Sequence, residues 1–239
     1  MNKNGKLKKK FILSLFSRIF LILAGIVLLY IIWLVVWSGI NSANIQEKAL
    51  QQANLTRPPD ISHPCPEYRD NYPELASVPD GQIIGQIFVP KFGKEYWRTL
   101  FQGSDKQMLD TMGFGHYDNS AMPGGVGNFS AAAHRNGYGA SLEDIDKISK
   151  GDFIVIRTHD YWFVYKATTS EIVQPDDTGG ILPVPYQPKG IASERFLTFT
   201  TCHPKYSTDQ RYIQHAKIDY WAKVSEGVPK VLLDAGVLL

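Results

Sequence analysis

The stretch Phe196-Leu197-Thr198-Phe199-Thr200-Thr201-Cys202-His203-Pro204-Lys205-Tyr206-Ser207-Thr208-Asp209-Gln210-Arg211 decides how this chain folds. Its first residues alternate, with Leu197, Phe199 and Thr201 on one face of a strand and Phe196, Thr198, Thr200 and Cys202 on the other. The more polar face carries a thiol towards the strand end. A short polar loop follows, and Arg211 stands beside the start of another apolar run. Two strands joined by such a loop bring their adjoining ends together, so a long guanidinium there can reach the region beside the sulfur; from position alone Arg211 reads equally as an exposed strand-start charge.

Working outward, segments 83–89, 153–157, 161–173, 195–202 and 212–224 are rich in β-branched and aromatic residues and are separated by Gly, Pro and Asp clusters. Short helices are expected at 105–111 and 142–149, the second with Leu142, Ile145 and Ile148 spaced to face a core. Many strands with few helices imply a mostly β chain closed, or nearly closed, into a barrel.

A thiolate is the strongest nucleophile a protein carries near neutral pH, and an arginine fork suits a developing oxyanion or a substrate carbonyl. Free cysteine is also among the most buried residue types. The polar strand face argues against an inert thiol at Cys202. For proton transfer the upstream candidate is His134, which closes the short apolar run Asn128-Phe-Ser-Ala-Ala-Ala-His134-Arg135 at a strand edge. Of the other histidines among the six, His63 lies in a linker and His116 in a glycine turn. His159 sits at a hairpin tip, and His215 lies within the strand after Arg211. His203 neighbours Cys202 but points to the opposite strand face. Arg135 is the rival of Arg211; as the neighbour of His134 it is expected to point away and to serve structure. Cysteine, histidine and arginine in this arrangement suggest a cysteine transpeptidase or protease.

At this point the chain resembles the sortase family of cell-wall transpeptidases of Gram-positive bacteria, and class E most of all, over residues 81 to 220. The resemblance rests on Ile87-Phe-Val-Pro-Lys91, Gly115-His-Tyr117, Gly127-Asn-Phe-Ser-Ala-Ala-Ala-His134-Arg135, the Leu142 to Asp152 stretch and Leu197-Thr-Phe-Thr-Thr-Cys202. Cys202-His-Pro-Lys-Tyr-Ser followed by Arg211 points to class E. Two departures stand out: the Thr-Leu pair of the family reads Phe196-Leu197-Thr198-Phe199, and Ala132-Ala133 replaces Ala-Gly before the histidine. Neither touches a side chain expected to act in catalysis.

The resemblance implies a closed eight-stranded barrel, whose filled interior puts the site on the outer face or rim. It implies Cys202 as nucleophile, His134 as acid and base, and Arg211 as oxyanion or peptide clamp. The implied substrates are surface proteins bearing a C-terminal Leu-Pro-x-Thr-Gly or Leu-Ala-x-Thr-Gly sorting signal, cut between Thr and Gly, with lipid II or a pilin lysine as the accepting amine. Class E tilts the motif towards alanine. Tyr138, in the loop after His134, is a candidate substrate contact as well as an ordinary loop tyrosine, and Thr200 and Thr201 are candidate backbone or hydroxyl donors.

The 239 residues, a formal charge of +2 and 44% hydrophobic content fit one domain with appendages. The charge gives no pointer to nucleic acid. Its distribution is more informative, because Lys3, Lys6, Lys8, Lys9, Lys10 and Arg18 precede the apolar run 19–37. Such a run, at about 1.5 Å per residue, spans roughly 28 Å, close to the hydrocarbon thickness of a bilayer. It is longer than a signal-peptide core and lacks an Ala-x-Ala site, and Trp33 and Trp37 flank it. The expected organisation is a basic cytoplasmic N-terminus at 1–18, a single transmembrane anchor at 19–40, an extracytoplasmic stalk at 41–80 and the catalytic barrel at 81–239. Residues 44–55 extend as a polar helix, and the stalk is long enough to fold back on the barrel.

Cys65 and Cys202 are the two cysteines. A permanent bridge would disable the nucleophile, so Cys65 reads as a free thiol in a proline-rich linker. No Cys/His spacing suggests zinc, and Glu171 with Asp176 and Asp177 reads as solvated carboxylates, so no metal and no cofactor is expected. Two other functions fit part of the pattern. An L,D-transpeptidase or a peptidoglycan Cys peptidase shares the nucleophile, although the first carries a Ser-x-Gly-Cys-type loop that Thr200-Thr-Cys202-His does not supply, and an anchored β-barrel binding module would make the cysteine incidental.

Overall fold

The computed structural model describes residues 3–52, 55 and 63–237. Its strands are β1 (Ile83–Phe88), β2 (Trp97–Gln102), β3 (Phe114–His116), β4 (Gly127–Ala132), β5 (Phe153–Arg157), β6 (Tyr161–Val173), β7 (Arg195–His203) and β8 (Gln210–Lys223). They close into a barrel in the order β1-β2-β3-β4-β7-β8-β6-β5. The long strands fall where their β-branched and aromatic composition places them. Strands β2 and β3 were not anticipated, because Trp97–Gln102 carries polar residues on a buried strand and β3 centres on Gly115.

Alternation fills the interior. Ile87, Leu100, Phe114, Phe129, Ile154, Ile156, Phe163, Leu197 and Phe199 are buried together inside the barrel. The other face is buried as well along β5, the first half of β6 and the last part of β8, which explains the continuous apolar stretches Phe153–Ile156 and Tyr161–Tyr165. Phe88, Val155, Trp162, Val164, Tyr220 and Ala222 form a second cluster, capped by Val228 and by Leu232 of α3 (Lys230–Asp234).

Residues 63–80 belong to this packing, the fold-back that the stalk's length left open. Pro64 bridges Val228, Tyr68 bridges Trp221, and Trp221 Nε1 donates to Asp70 O at 2.8 Å. Cys65 is therefore a core residue and not a linker thiol: it is 6% exposed, and its N–H donates to Val228 O at 2.9 Å. The proline-rich break at 57–62 lies outside the described residues.

Helix α1 runs from Lys3 to Gln52. Ile12–Trp33, 22 residues of mean hydropathy 2.6, is long and apolar enough to cross a membrane. This segment starts before the sequence window because Ile12, Leu13, Leu15 and Phe16 extend the apolar surface around Arg18. The end of α1 docks on the barrel. Gln46 is buried, and its Oε1 accepts the Thr99 N–H of β2 at 3.1 Å.

Helix α2 (Lys106–Met112) lies beside that contact, with Asp105 as its N-cap accepting from Met108 N–H at 2.9 Å. Gly113 ends it at φ +105, where a Cβ would stand 2.9 Å from Thr99 O and 3.1 Å from Gln46 Oε1. Glycine is what lets α1, α2 and β2 meet there. The helix expected at 142–149 is a single 3-10 turn, Ile145–Lys147, within a run of turns. Leu142 N–H bonds to His134 O and Ile148 is already extended, so the segment follows the contour of the site loop.

Candidate active site

Strands β4 and β7 run parallel, with Ala132 opposite Thr200, so the chain leaves both strands at the same end of the barrel. His134 follows β4 and Cys202 lies near the end of β7. Both line one open cleft of about 470 Å³ with Arg135, Asn136, Tyr206, Ser207, Thr208 and Asp209. This is the rim position required by the filled interior. Cys202 is partly exposed and neither cysteine is in a disulfide.

Arg211 is the residue directly opposite Cys202 across the antiparallel β7–β8 pair. Side chains of such pairs project from the same sheet face. Its Nη1 donates to Thr208 O and Gln210 O, each at 3.0 Å, which ties the guanidinium to the cleft-lining loop and to the start of β8.

Arg135 is bound differently. It is 3% exposed, its Nη2 donates to Asp146 Oδ1 at 3.0 Å, and its Nη1 lies 2.7 Å from His203 Nδ1 and 3.5 Å from Cys202 O. That arrangement braces the backbone under the thiol and occupies His203.

Of the remaining histidines, His116 and His215 are more deeply buried than expected. His116 is not in a turn: it is buried on β3, bonded to Gln102 and Ser120 and stacked on Phe129. Burial pushes its pKa below the ordinary value and keeps the ring neutral. His215 is buried between Thr198 Oγ1 at 2.8 Å and Glu171 Oε1 at 3.0 Å. His159 is exposed and pairs with Asp160 at 2.7 Å at the β5–β6 turn.

Thr201 Oγ1 donates to Ala133 O at 2.7 Å, lacing β7 to the His134 segment. Thr200 Oγ1 lies 2.8 Å from Tyr117 Oη, and Tyr117 lines an adjoining cleft with Ser104, Asp118, Ile181 and Pro183. Tyr138 stands at φ +48, with its ring 5.1 Å from the His134 imidazole. Sequence reasoning missed Asp110, whose Oδ1 is 2.8 Å from His134 Nε2. Nothing in the spacing of residues 110 and 134 marks it, because α2 brings it there through tertiary packing.

Set beside known proteins, residues 87–219 match the sortase domain model. Sortase SrtE1 of Streptomyces coelicolor is 30% identical over 224 residues, which is 91% of this chain and 60% of that protein. The chain thus spans about three-fifths of the length of that relative. Among solved structures, the SrtA sortase of Actinomyces oris is similar at a TM-score of 0.67 and 38% identity, covering 72% of this chain and all of that one. Sortase E1 of S. coelicolor, solved with a tripeptide in its active site, is similar at 0.59 and 34% identity, covering 64% of this chain and 97% of that one. A family match running from β1 to β8, through both ends of the Cys202 cleft, together with class E relatives, means that this chain belongs to the sortase family, class E.

Proposed function

We propose that the chain is a membrane-anchored cysteine transpeptidase acting on C-terminal sorting signals. The observation that carries this reading is that Cys202 and His134 line one open cleft at the barrel rim, with Arg211 opposite the cysteine on the neighbouring strand. Cys202 Sγ, as thiolate, attacks the Thr carbonyl carbon of a Leu-Ala-x-Thr-Gly or Leu-Pro-x-Thr-Gly peptide. The guanidinium of Arg211 takes the charge that develops on the carbonyl oxygen. As the tetrahedral intermediate collapses, the C–N bond to glycine breaks and His134 gives its proton to the departing amine, leaving a thioester on Cys202. An incoming amine, from lipid II or a pilin lysine, then attacks the thioester, loses its proton to His134 and expels the thiolate.

Helix α1 suits the role of a single-pass anchor through 12–33. The lysines ahead of the span support a cytoplasmic N-terminus and an outer barrel under the positive-inside rule. Tyr138, Thr200 and Thr201 are assigned to the surroundings of the bound peptide. Thr200 and Thr201 support the nucleophile strand through their hydroxyl bonds to Tyr117 and Ala133.

The test is a cleavage panel with the full chain in detergent. Leu-Ala-x-Thr-Gly and Leu-Pro-x-Thr-Gly peptides are supplied with and without an acceptor amine, and products are read by mass spectrometry. Cleavage after Thr together with an amine-linked product is expected. Absence of any thioester on Cys202 with every peptide overturns the reading.

A further inference from the structure

The short helix α2 brings a carboxylate to the cleft side of the barrel. Asp110 places Oδ1 2.8 Å from His134 Nε2 and Oδ2 2.5 Å from Lys106 Nζ, one turn earlier on the same helix. Lys106 stands over the Tyr138 ring at 5.6 Å from its centroid, and that ring lies 5.1 Å from the imidazole. Two residues of α2 and two of the 134–138 segment thus close a ring of contacts. The side chains of Asp110 and His134 are 18% and 25% exposed, so the pair is sheltered though not enclosed.

The helix that holds the carboxylate is fixed at both ends. Asp105 caps its start, and at its end Gly113 admits Gln46 of α1 and Thr99 of β2 at close range. A lone lysine–aspartate pair on a surface helix does little for stability. Here the same carboxylate is braced by a lysine on one oxygen and spends the other on the histidine that faces the thiol's cleft.

We propose that Asp110 is the positioning residue of His134. A carboxylate only accepts, so it requires the hydrogen to sit on Nε2 and leaves Nδ1 as the nitrogen that gains and loses the proton at the cleft. Asp110 also fixes the plane of the ring, which its neighbour Tyr138 covers on one side. The proposal deepens the transpeptidase reading and rests on it for the role of His134; the tautomer it specifies is a property of the chain with or without turnover.

The experiment uses the full chain in detergent micelles, labelled with ¹⁵N-histidine, as wild type, Asp110→Asn, Asp110→Ala and Asp110→Glu. In the wild type at a pH where the ring is neutral, the His134 signals should show hydrogen on Nε2 and none on Nδ1. Asp110→Asn, of the same shape but able to donate, should move that balance towards hydrogen on Nδ1. It should also lower kcat by about tenfold to a hundredfold, with KM within about twofold, because the proton carrier and not peptide binding is disturbed. Asp110→Glu should recover part of the kcat.

A wild-type His134 with hydrogen on Nδ1 overturns the proposal. So does an Asp110→Asn spectrum identical to wild type, whatever the chain does to peptides. Should Asp110→Ala fail to fold, Asp110→Asn decides alone. A chain whose tautomer behaves as expected but that forms no thioester with any peptide supports the positioning and sinks only the transpeptidase reading.

Discussion

Cys202 and Arg211 are opposite residues of the β7–β8 pair, and Arg211 anchors its guanidinium on Thr208 O of the loop between the strands and on Gln210 O at the start of β8. Arg135 reaches the same neighbourhood from the segment after β4 but spends itself on Asp146 and His203. The two arginines therefore separate by consequence. Arg211→Ala should lower kcat/KM by about a hundredfold or more, the scale for losing an oxyanion donor, while leaving Tm close to wild type. Arg211→Lys should recover only part, since a point charge cannot replace a planar fork. Arg135→Ala should lower stability by about 1 to 3 kcal/mol through its lost buried bonds, read as a drop in Tm. If Arg135→Ala gives the larger loss of kcat/KM at unchanged Tm, the assignment of the two is reversed.

The two thiols differ in the same way. Burial pushes the Cys65 pKa up to about 12, so this thiol stays protonated and covered through the neutral range. Iodoacetamide at pH 7 to 8 should modify the native chain once, at Cys202, with Cys65 reacting only after denaturation. Cys202→Ala should abolish thioester formation and Cys65→Ala should leave turnover near wild type. Because the folded pKa of Cys65 is raised, its contribution to stability is whole below the ordinary thiol value and fades as pH rises from there through about 12. Denaturation midpoints of Cys65→Ala and wild type should therefore converge in that alkaline window. Rapid native alkylation of Cys65 would sink the buried assignment.

Gln46 tests whether the apolar helix is mechanically part of the catalytic domain. Thr99 is fully buried and its N–H has the Gln46 amide oxygen as acceptor. Gln46→Ala removes that acceptor and should cost about 1 to 3 kcal/mol, the usual penalty for a buried donor left unsatisfied. The readout is thermal unfolding of the full chain in detergent. A Tm equal to wild type would mean that the end of α1 does not engage β2 when the span is in a membrane-like phase.

How much of this was legible in the sequence depended on whether a residue's role is written into its own strand. The run from Phe196 to Cys202 alternates, so both the barrel wall and the face that carries the thiol could be read directly. β5 and β6 were bounded to the residue, because both are rich in β-branched and aromatic residues and Asp160 with its neighbours marks the turn. His116 was misjudged because a glycine beside a histidine reads as a turn, whereas here Gly115 admits the close approach of Gly103 O, 2.4 Å from where its Cβ would stand. Cys65 was misjudged because flanking prolines look the same in a free linker and in an extended segment pinned to a barrel. Asp110 and Gln46 were invisible: each acts across a contact that exists only once α1, α2 and β2 have packed.

Substrate choice is the last test, and it turns on two tyrosines. Tyr138 is 40% exposed with its ring beside His134, which makes it the candidate contact for a peptide that the cleft would bind. Alanine before x in the sorting signal keeps a backbone N–H that proline lacks, and a site with an acceptor for that hydrogen discriminates by leaving the acceptor unpaired against proline. The wild type should therefore prefer Leu-Ala-x-Thr-Gly, and Tyr138→Phe should narrow the ratio of the two kcat/KM values. Tyr117 supplies the control, because its hydroxyl lies 2.8 Å from Thr200 Oγ1 and it lines the adjoining cleft from β3's end. If Tyr117→Phe narrows the ratio and Tyr138→Phe lowers both values equally, the acceptor sits over Thr200 and Tyr138 serves only to cover the imidazole. A wild-type preference for proline would remove the alanine motif altogether while leaving Cys202, His134 and Arg211 as they stand.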